Sequence, residues 1–308
     1  MLAAGLIVSR FVHYVAVLAL FGASLFPLYA YAGHPDDAAR RQLVQWLRPV
    51  LATAAALTLA SGLGWFAFTS AGMSGALSGA WDPQVLMTVL QATDFGPLWL
   101  GRLTLAALVL LMVLLSRSSE RPDWVAPVLA GLLLASLAGT GHARASEGWS
   151  AAVHVLADAA HLLAAGVWLG GLWPLAAALA WAHRGDVHHM SGSGELLIRF
   201  SGIGYLAVAV LVASGVLNSW YLVGSIEALT SGAYGRLLLF KVALFVVMAA
   251  LAAANRFWIT PRLHRPGDAP VEPWLRRIRR HVAAELALGL TVVGVVSLLG
   301  TLDPGAPA

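Results

Sequence analysis

Residues 154–171 read HVLADAAHLLAAGVWLGG, an apolar run that carries three ionisable side chains, His154, Asp158 and His161. At helical spacing these fall at i, i+4 and i+7 and share one face. More apolar sequence flanks the run on both sides, which predicts a helix crossing a bilayer. There an ionisable group is costly and by default marks a function.

The composition agrees with a bilayer. Of 308 residues 59% are hydrophobic and 11% charged, where a soluble domain carries about 25% charged residues. The expected fold class is an all-α integral membrane protein. Cysteine is absent, which excludes disulfides, thiolate metal sites and a cysteine nucleophile, so a soft metal has only His and Met to bind it. The net charge of +4 comes from basic residues between apolar segments. They form no patch on a soluble domain, so no nucleic-acid partner is expected and membrane lipid is. GxSxG, a phosphate-binding glycine loop and HExxH are all missing, and the chain reads as a non-enzyme.

Eight segments reach the roughly 20 apolar residues that a crossing needs, near 5–32, 48–70, 96–116, 124–141, 150–182, 199–224, 235–257 and 282–302. The fifth is the longest and is expected to tilt or to project beyond the hydrocarbon. Fourteen of the 19 Lys and Arg residues lie in loops one, three, five and seven, including Arg276, Arg277, Arg279 and Arg280. By the positive-inside rule those loops are cytoplasmic and both termini extracytoplasmic. Many of the 12 tryptophans fall near segment ends, as an aromatic belt requires. WLRRIRRH (274–281) reads as an interfacial basic helix leading into segment eight. Segment five then enters from outside, with His154 just below the surface and His161 near mid-depth.

An internal repeat sets the architecture. FVHYVAVLALFGASLFPL (11–28) matches AHLLAAGVWLGGLWPL (160–175), pairing His13 with His161 and Gly22 with Gly170. ASGLGWF (60–66) matches ASGVLNSWY (213–221), LGRLTLAALVLLM (100–112) matches YGRLLLFKVALFVVM (234–248), and SLAGT (136–140) matches SLLGT (297–301). Four matches in one order predict two tandem four-helix repeats, 1–145 and 146–308, in the same orientation, with sites expected at their interface. Arg10, the apolar run after it and Ala30-Tyr31-Ala32 resemble a signal peptide. Because cleavage would remove a repeat member, segment one is expected to stay.

His13, His154 and His161, with His142 on the adjoining outer loop, gather at the outer face. Imidazole binds copper, zinc, iron and nickel, and Asp158 could ligate or orient a histidine. Met73 and Met87 lie in an outer loop, while His183, His188, His189 and Met190 read as a solvated cytoplasmic loop. Snorkelling accounts for Arg102 and Arg236; Lys241 lies deeper and is expected to face a cavity or pair with an acid such as Asp158. Asn255, Arg256 and Glu285 read as a structural lock between segments seven and eight.

HLLAAGVWLGGL (161–172), TGHA (140–143), RFVHY (10–14), YGRLLLFKVAL with AAANR (234–244, 252–256) and RRHVAAELALGLTVVGVVSLLGTLDP (279–304) resemble the copper resistance protein D family, CopD or PcoD. The resemblance covers essentially the whole chain. It implies a multi-pass protein of the bacterial inner membrane that carries copper ion, as Cu(I) or Cu(II), from periplasm toward cytoplasm, with a periplasmic CopC-like protein as partner. His142, His161 and His13 carry over as copper-handling residues. With no phosphorylation or ATP-binding motif, transport would be passive or ion-coupled. A second resemblance, of HLLAAGVWLGGLW and a later Lys to the HemJ protoporphyrinogen oxidases, implies an alternative: a membrane redox protein holding haem b through His161 and Lys241. It covers only part of the chain.

Overall fold

In a computed structural model of the protein, residues 1–31, 38–116, 124–138, 149–184, 187–223, 225–263 and 272–302 are described, the backbone alone at 187–191, 226, 228 and 231. The regular elements among them are all helical. In chain order they are α1 (Leu2–Ala30), α2 (Ala38–Ser74), α3 (Pro83–Ala92), α4 (Phe95–Leu115) and α5 (Val125–Ala135). Then follow α6 (Trp149–His183), α7 (Val187–Val223), α8 (Ile226–Ser231), α9 (Ala233–Leu263) and α10 (Glu272–Leu299). The surface helix α3 begins with Pro83 in its first turn, and the Asp82 carboxylate accepts a hydrogen bond from the Gln84 N–H at 2.9 Å. Both features suit a helix start, where the first amides lack partners.

Among the described residues, seven helices are long and apolar enough to cross a membrane: α1, α2, α4, α6, α7, α9 and α10. Their outward faces expose Leu57, Leu100, Leu108, Leu114, Phe240 and Val246, an apolar surface suited to lipid. The segment expected at 124–141 differs. Its helix α5 has 11 residues, about 16 Å at 1.5 Å per residue, which is short of the roughly 30 Å hydrocarbon core. It ends where Arg102 of α4 holds Ser136: Nε donates to Ser136 Oγ at 3.3 Å and Nη2 donates to the Ser136 carbonyl.

α1 and α6 are the most enclosed of the seven. Their crossing is built on glycine. A Cβ on Gly22 would collide with the Gly166 carbonyl and the Gly170 backbone, and a Cβ on Gly170 would collide with the Leu18 carbonyl. Small residues permit this approach, and van der Waals packing holds helices together where lipid supplies no hydrophobic drive. Phe21 beside the crossing lies against Gly131 of α5, and Leu169 lies against Gly289 of α10. Val17, Leu20, Phe26, Leu172, Leu175 and Leu179 fill the core around it.

Two π turns interrupt the long helices, Gly166–Gly170 in α6 and Asn255–Ile259 in α9. Arg10 of α1 donates to the Gly300 carbonyl at 2.7 Å, which brings the start of the first helix to the end of the last. At the other end of the bundle Arg48 donates to the Ser116 carbonyl at 2.9 Å and His183 lies 3.5 Å from Glu272.

Candidate functional site

The ionisable stripe on α6 faces α7, and each member meets its own partner. His154, 3% exposed, stacks on Tyr221 with ring centroids 4.9 Å apart and planes at 14°. One turn on, Asn218 Nδ2 reaches Asp158 Oδ1 at 3.5 Å. Next, His161 Nδ1 lies 2.9 Å from Ser214 Oγ. As one helix counts up the other counts down, so 154–221, 158–218 and 161–214 are three rungs of an antiparallel ladder. The stripe therefore turns into the bundle, as the cost of exposing it to lipid demands.

α1 and α2 form a ladder of the same design. His13, 3% exposed, places Nδ1 3.0 Å from the Thr58 carbonyl and 3.1 Å from Ser61 Oγ. Arg10, three residues before His13, lies 4.8 Å over the Trp65 ring, and Gly5 meets Phe68. In both ladders the histidine bonds the serine of an Ala-Ser-Gly triplet, and the triplet's glycine, Gly62 or Gly215, lies under the imidazole.

The two ladders part in chemistry. Position 10 of the first ladder is an arginine over an indole, whereas its counterpart 158 is a carboxylate bonded to an amide. His13 is walled in by Trp65 at 5.6 Å and Trp99 at 6.2 Å, and the Trp99 indole N–H donates to the Gly62 carbonyl at 3.0 Å. Among the described residues no tryptophan ring packs on His161 in that way. Lys241 of α9 acts electrostatically on His161, and Asp158 acts on Lys241.

Hydrogen-bond chemistry fixes the tautomers. A carbonyl only accepts, so His13 Nδ1 must carry its proton to bond Thr58. The Ser214 hydroxyl donates to the Val210 carbonyl; its oxygen then accepts from His161 Nδ1–H, with the Leu211 backbone also in reach. Each neutral imidazole is left with its Nε2 lone pair free. His13 Nε2, His154 Nδ1 and Asn218 Oδ1 are buried without a hydrogen-bond partner. Such atoms are rare in folded proteins.

The structure brings His154, Asp158 and His161 together along α6. It does not join His13 to His161: the contacts of His13 run to α2 and α4, those of His161 to α7 and α9. Tyr14, beside His13, feels the charges of both Arg10 and Asp158 and stands between the ladders. Among the described residues no three His, Asp or Glu side chains meet around one point. His142 lies outside the described residues, as do the side chains of His188, His189 and Met190. Met73 and Met87 are exposed.

Arg102 departs from the snorkelling expected of it. It is 3% exposed, over the Trp99 ring at 5.1 Å and bonded to Ser136, while Arg236 is exposed. The serine, tyrosine and asparagine partners on α7 were not read as such from sequence. The signal was present in the shared Ala-Ser-Gly triplet, which reads as a repeat marker until the histidine is seen on it.

Residues 1–153 match the family described as copper resistance protein D-like, N-terminal domain, and residues 194–299 match copper resistance protein D. The chain is 33% identical over 312 residues to the inner membrane protein YebZ of Escherichia coli strain K12, covering 99% of this chain and 100% of that one. It is 35% identical over 310 residues to copper resistance protein D of Pseudomonas syringae pv. tomato, covering 97% and 96%. It is 32% identical to the copper transport protein CutJ of Bacillus subtilis strain 168, spanning 99% of this chain and 54% of CutJ.

Proposed function

This chain belongs to the copper resistance protein D family of multi-pass inner-membrane proteins, and from that premise we propose that it carries copper inward from the periplasm along the α6–α7 ladder. The observation that supports this reading is the pair of donor atoms left open there, His154 Nδ1 and Asn218 Oδ1, with Asp158 between the rungs and His161 held by Ser214 through Nδ1, which turns its Nε2 lone pair to the metal. Copper is the cargo of this path. A serine bond that fixes which imidazole nitrogen is protonated also fixes which one meets the metal. Because successive rungs sit about a turn apart, roughly 5–6 Å along the helix, no closed cage forms and an ion passes from donor to donor. That spacing suits transit better than storage.

The donors are nitrogen and oxygen with no sulfur, a set that favours Cu(II) over Cu(I). In this reading the molecule is a tandem of two four-helix repeats, 1–145 and 146–308, with eight segments in or across the membrane and both termini outside. It is supported by the two parallel ladders, by the Gly22–Gly170 crossing and by the contact of Arg10 with Gly300. His13 is the counterpart of His161 in the first repeat, and His142 extends the path at its mouth. A periplasmic CopC-like protein would deliver the metal.

Copper accumulation in cells tests the proposal: it is expected to rise with the wild-type chain and to be lost in His161→Ala at equal protein abundance. Normal accumulation in that variant would overturn it. The nearness of Lys241 to His161 favours one other reading, a haem b group held between them. One absorbance spectrum of the purified protein separates the two, since haem gives a Soret band and a copper carrier gives none.

A further inference from the structure

Midway along α10, between the histidine ladders and the Arg276–Arg280 end of the bundle, lies another buried ionisable group that the copper path does not use. Glu285 of α10 is 2% exposed. Its Oε1 accepts from Asn255 Nδ2 at 2.9 Å and its Oε2 from the Trp168 indole N–H at 3.4 Å. No charged side chain among the described residues acts on this carboxylate. The groups that face it are Trp168 from α6, Asn255 from α9 and, through Asn255, His281 of its own helix, on which Arg277 acts.

Two features set this group apart from a brace. Trp168 lies in the π turn of α6 and Asn255 opens the π turn of α9, so the carboxyl ties together the two places where these helices leave α geometry. π turns recur at functional sites because an inserted residue can shift or relax. Next, the hydrogen bonds lead outward. Asn255 Nδ2 is committed to Glu285, so its Oδ1 accepts from His281 Nδ1–H at 2.7 Å. His281 lines an open surface cleft of about 360 Å³ with Pro273, Arg276, Arg277 and Arg280 at the end of the bundle.

We infer that Glu285 is the proton-binding site through which copper movement is linked to the proton gradient. The inference rests on the transport reading above. In the step proposed, the carboxylate takes one proton from a hydronium ion supplied through the cleft beside His281; one O–H bond forms and one water is left behind. Ionised, the carboxylate is an acceptor only and matches the two N–H groups aimed at it. Once neutral it holds both donors more weakly and carries an O–H with no acceptor facing it. Protonation thus loosens α6 from α9 and α10 two turns from His161, and deprotonation tightens it. If bracing alone were needed, a neutral amide would serve without the cost of a charge in the membrane.

The test uses the full chain in proteoliposomes enclosing a pH-sensitive dye, with copper added outside and luminal copper and pH read together. In the wild type, copper entry is expected to bring a luminal pH change, and in Glu285→Gln the protons moved per copper are expected to fall to none. A Glu285→Gln protein that keeps the wild-type ratio overturns the inference. If the wild type moves no copper, it is the transport reading that fails, and infrared titration of the detergent-purified protein then decides Glu285 by itself. A carboxylic-acid C=O band that titrates in the wild type and is missing in Glu285→Gln supports the assignment. Absence of any such band overturns it. Should Glu285→Gln fail to fold, Glu285→Asp withdraws the carboxyl by one methylene and must shift the pH at which the band titrates; an unshifted titration counts against it.

Discussion

Gly22 and Gly170 face each other where α1 crosses α6, and a methyl group on either would enter the backbone of the other helix. The contact is reciprocal: Gly22 stands over the Gly166 carbonyl and Gly170 over the Leu18 carbonyl, with Leu18 and Gly22 four residues apart in α1 and Gly166 and Gly170 four apart in α6. A self-complementary patch of this kind is what the proposed two-fold relation between repeats would produce. Because backbone cannot yield as a side chain can, Gly22→Ala and Gly170→Ala are each expected to destabilise the protein by at least the ~1–3 kcal/mol typical of overpacking. Gly101, which has open space around it, is the control. Thermal unfolding in detergent checks the difference, and equal melting of Gly101→Ala and Gly170→Ala would refute this account.

Removing a histidine's partner leaves the imidazole in place but frees its tautomer. Ser214→Ala is therefore expected to weaken copper binding by about 10–100-fold, the usual effect of losing a partner behind a metal ligand. Titration of the purified protein with Cu(II), followed by electron paramagnetic resonance, reads it. Ser61→Ala is expected to alter the folding stability of the first ladder more than copper binding, because Trp65 and Trp99 enclose His13.

Copper competes with protons for an imidazole lone pair. Uptake is expected to decline once external pH falls far enough to protonate these imidazoles. The sign follows from the chemistry: the protonated ring has no lone pair to offer. His154→Ala is expected to reduce uptake partially, since Asp158 and His161 remain. A pH profile unchanged in the wild type would remove the histidines from the path.

Arg102 grips Ser136 with two nitrogens of a planar fork, Nε and Nη2. A lysine offers one point charge and cannot reproduce that geometry. Arg102→Lys is expected to lower thermal stability, and Arg102→Ala to do so by ~1–3 kcal/mol, the usual cost of leaving a buried acceptor without its donor. Arg236→Ala, at an exposed position, is expected to change little.

What the sequence revealed depended on how each signal is carried. Helix positions and the inward-facing stripe of His154, Asp158 and His161 were legible because apolar length and a period of 3.6 are properties of neighbours in the chain. The short α5 was not, because its end is fixed by Arg102, which lies 34 residues away from Ser136. Partners of the stripe on α7 were hidden for the same reason. Tyr221, Asn218 and Ser214 lie on α7, on the far side of a loop, and meet α6 only through the register of helix packing. Glu285 was legible as a buried acid tied to Asn255, but its bond to Trp168 was not, since nothing local signals a π turn.

The π turn at Gly166–Gly170 makes α6 a phase shifter. Each residue of an α-helix advances the chain by about 100°, so the residue gained in that turn rotates everything beyond it relative to everything before it. Above the turn, the helix aims His161 at α7; below it, Leu172, Leu175 and Leu179 are aimed at the core. Two functions that would compete for one face of a regular helix are thereby given separate azimuths. Closing that turn to α geometry with every residue kept would swing the ladder off its partners by about a quarter of a revolution.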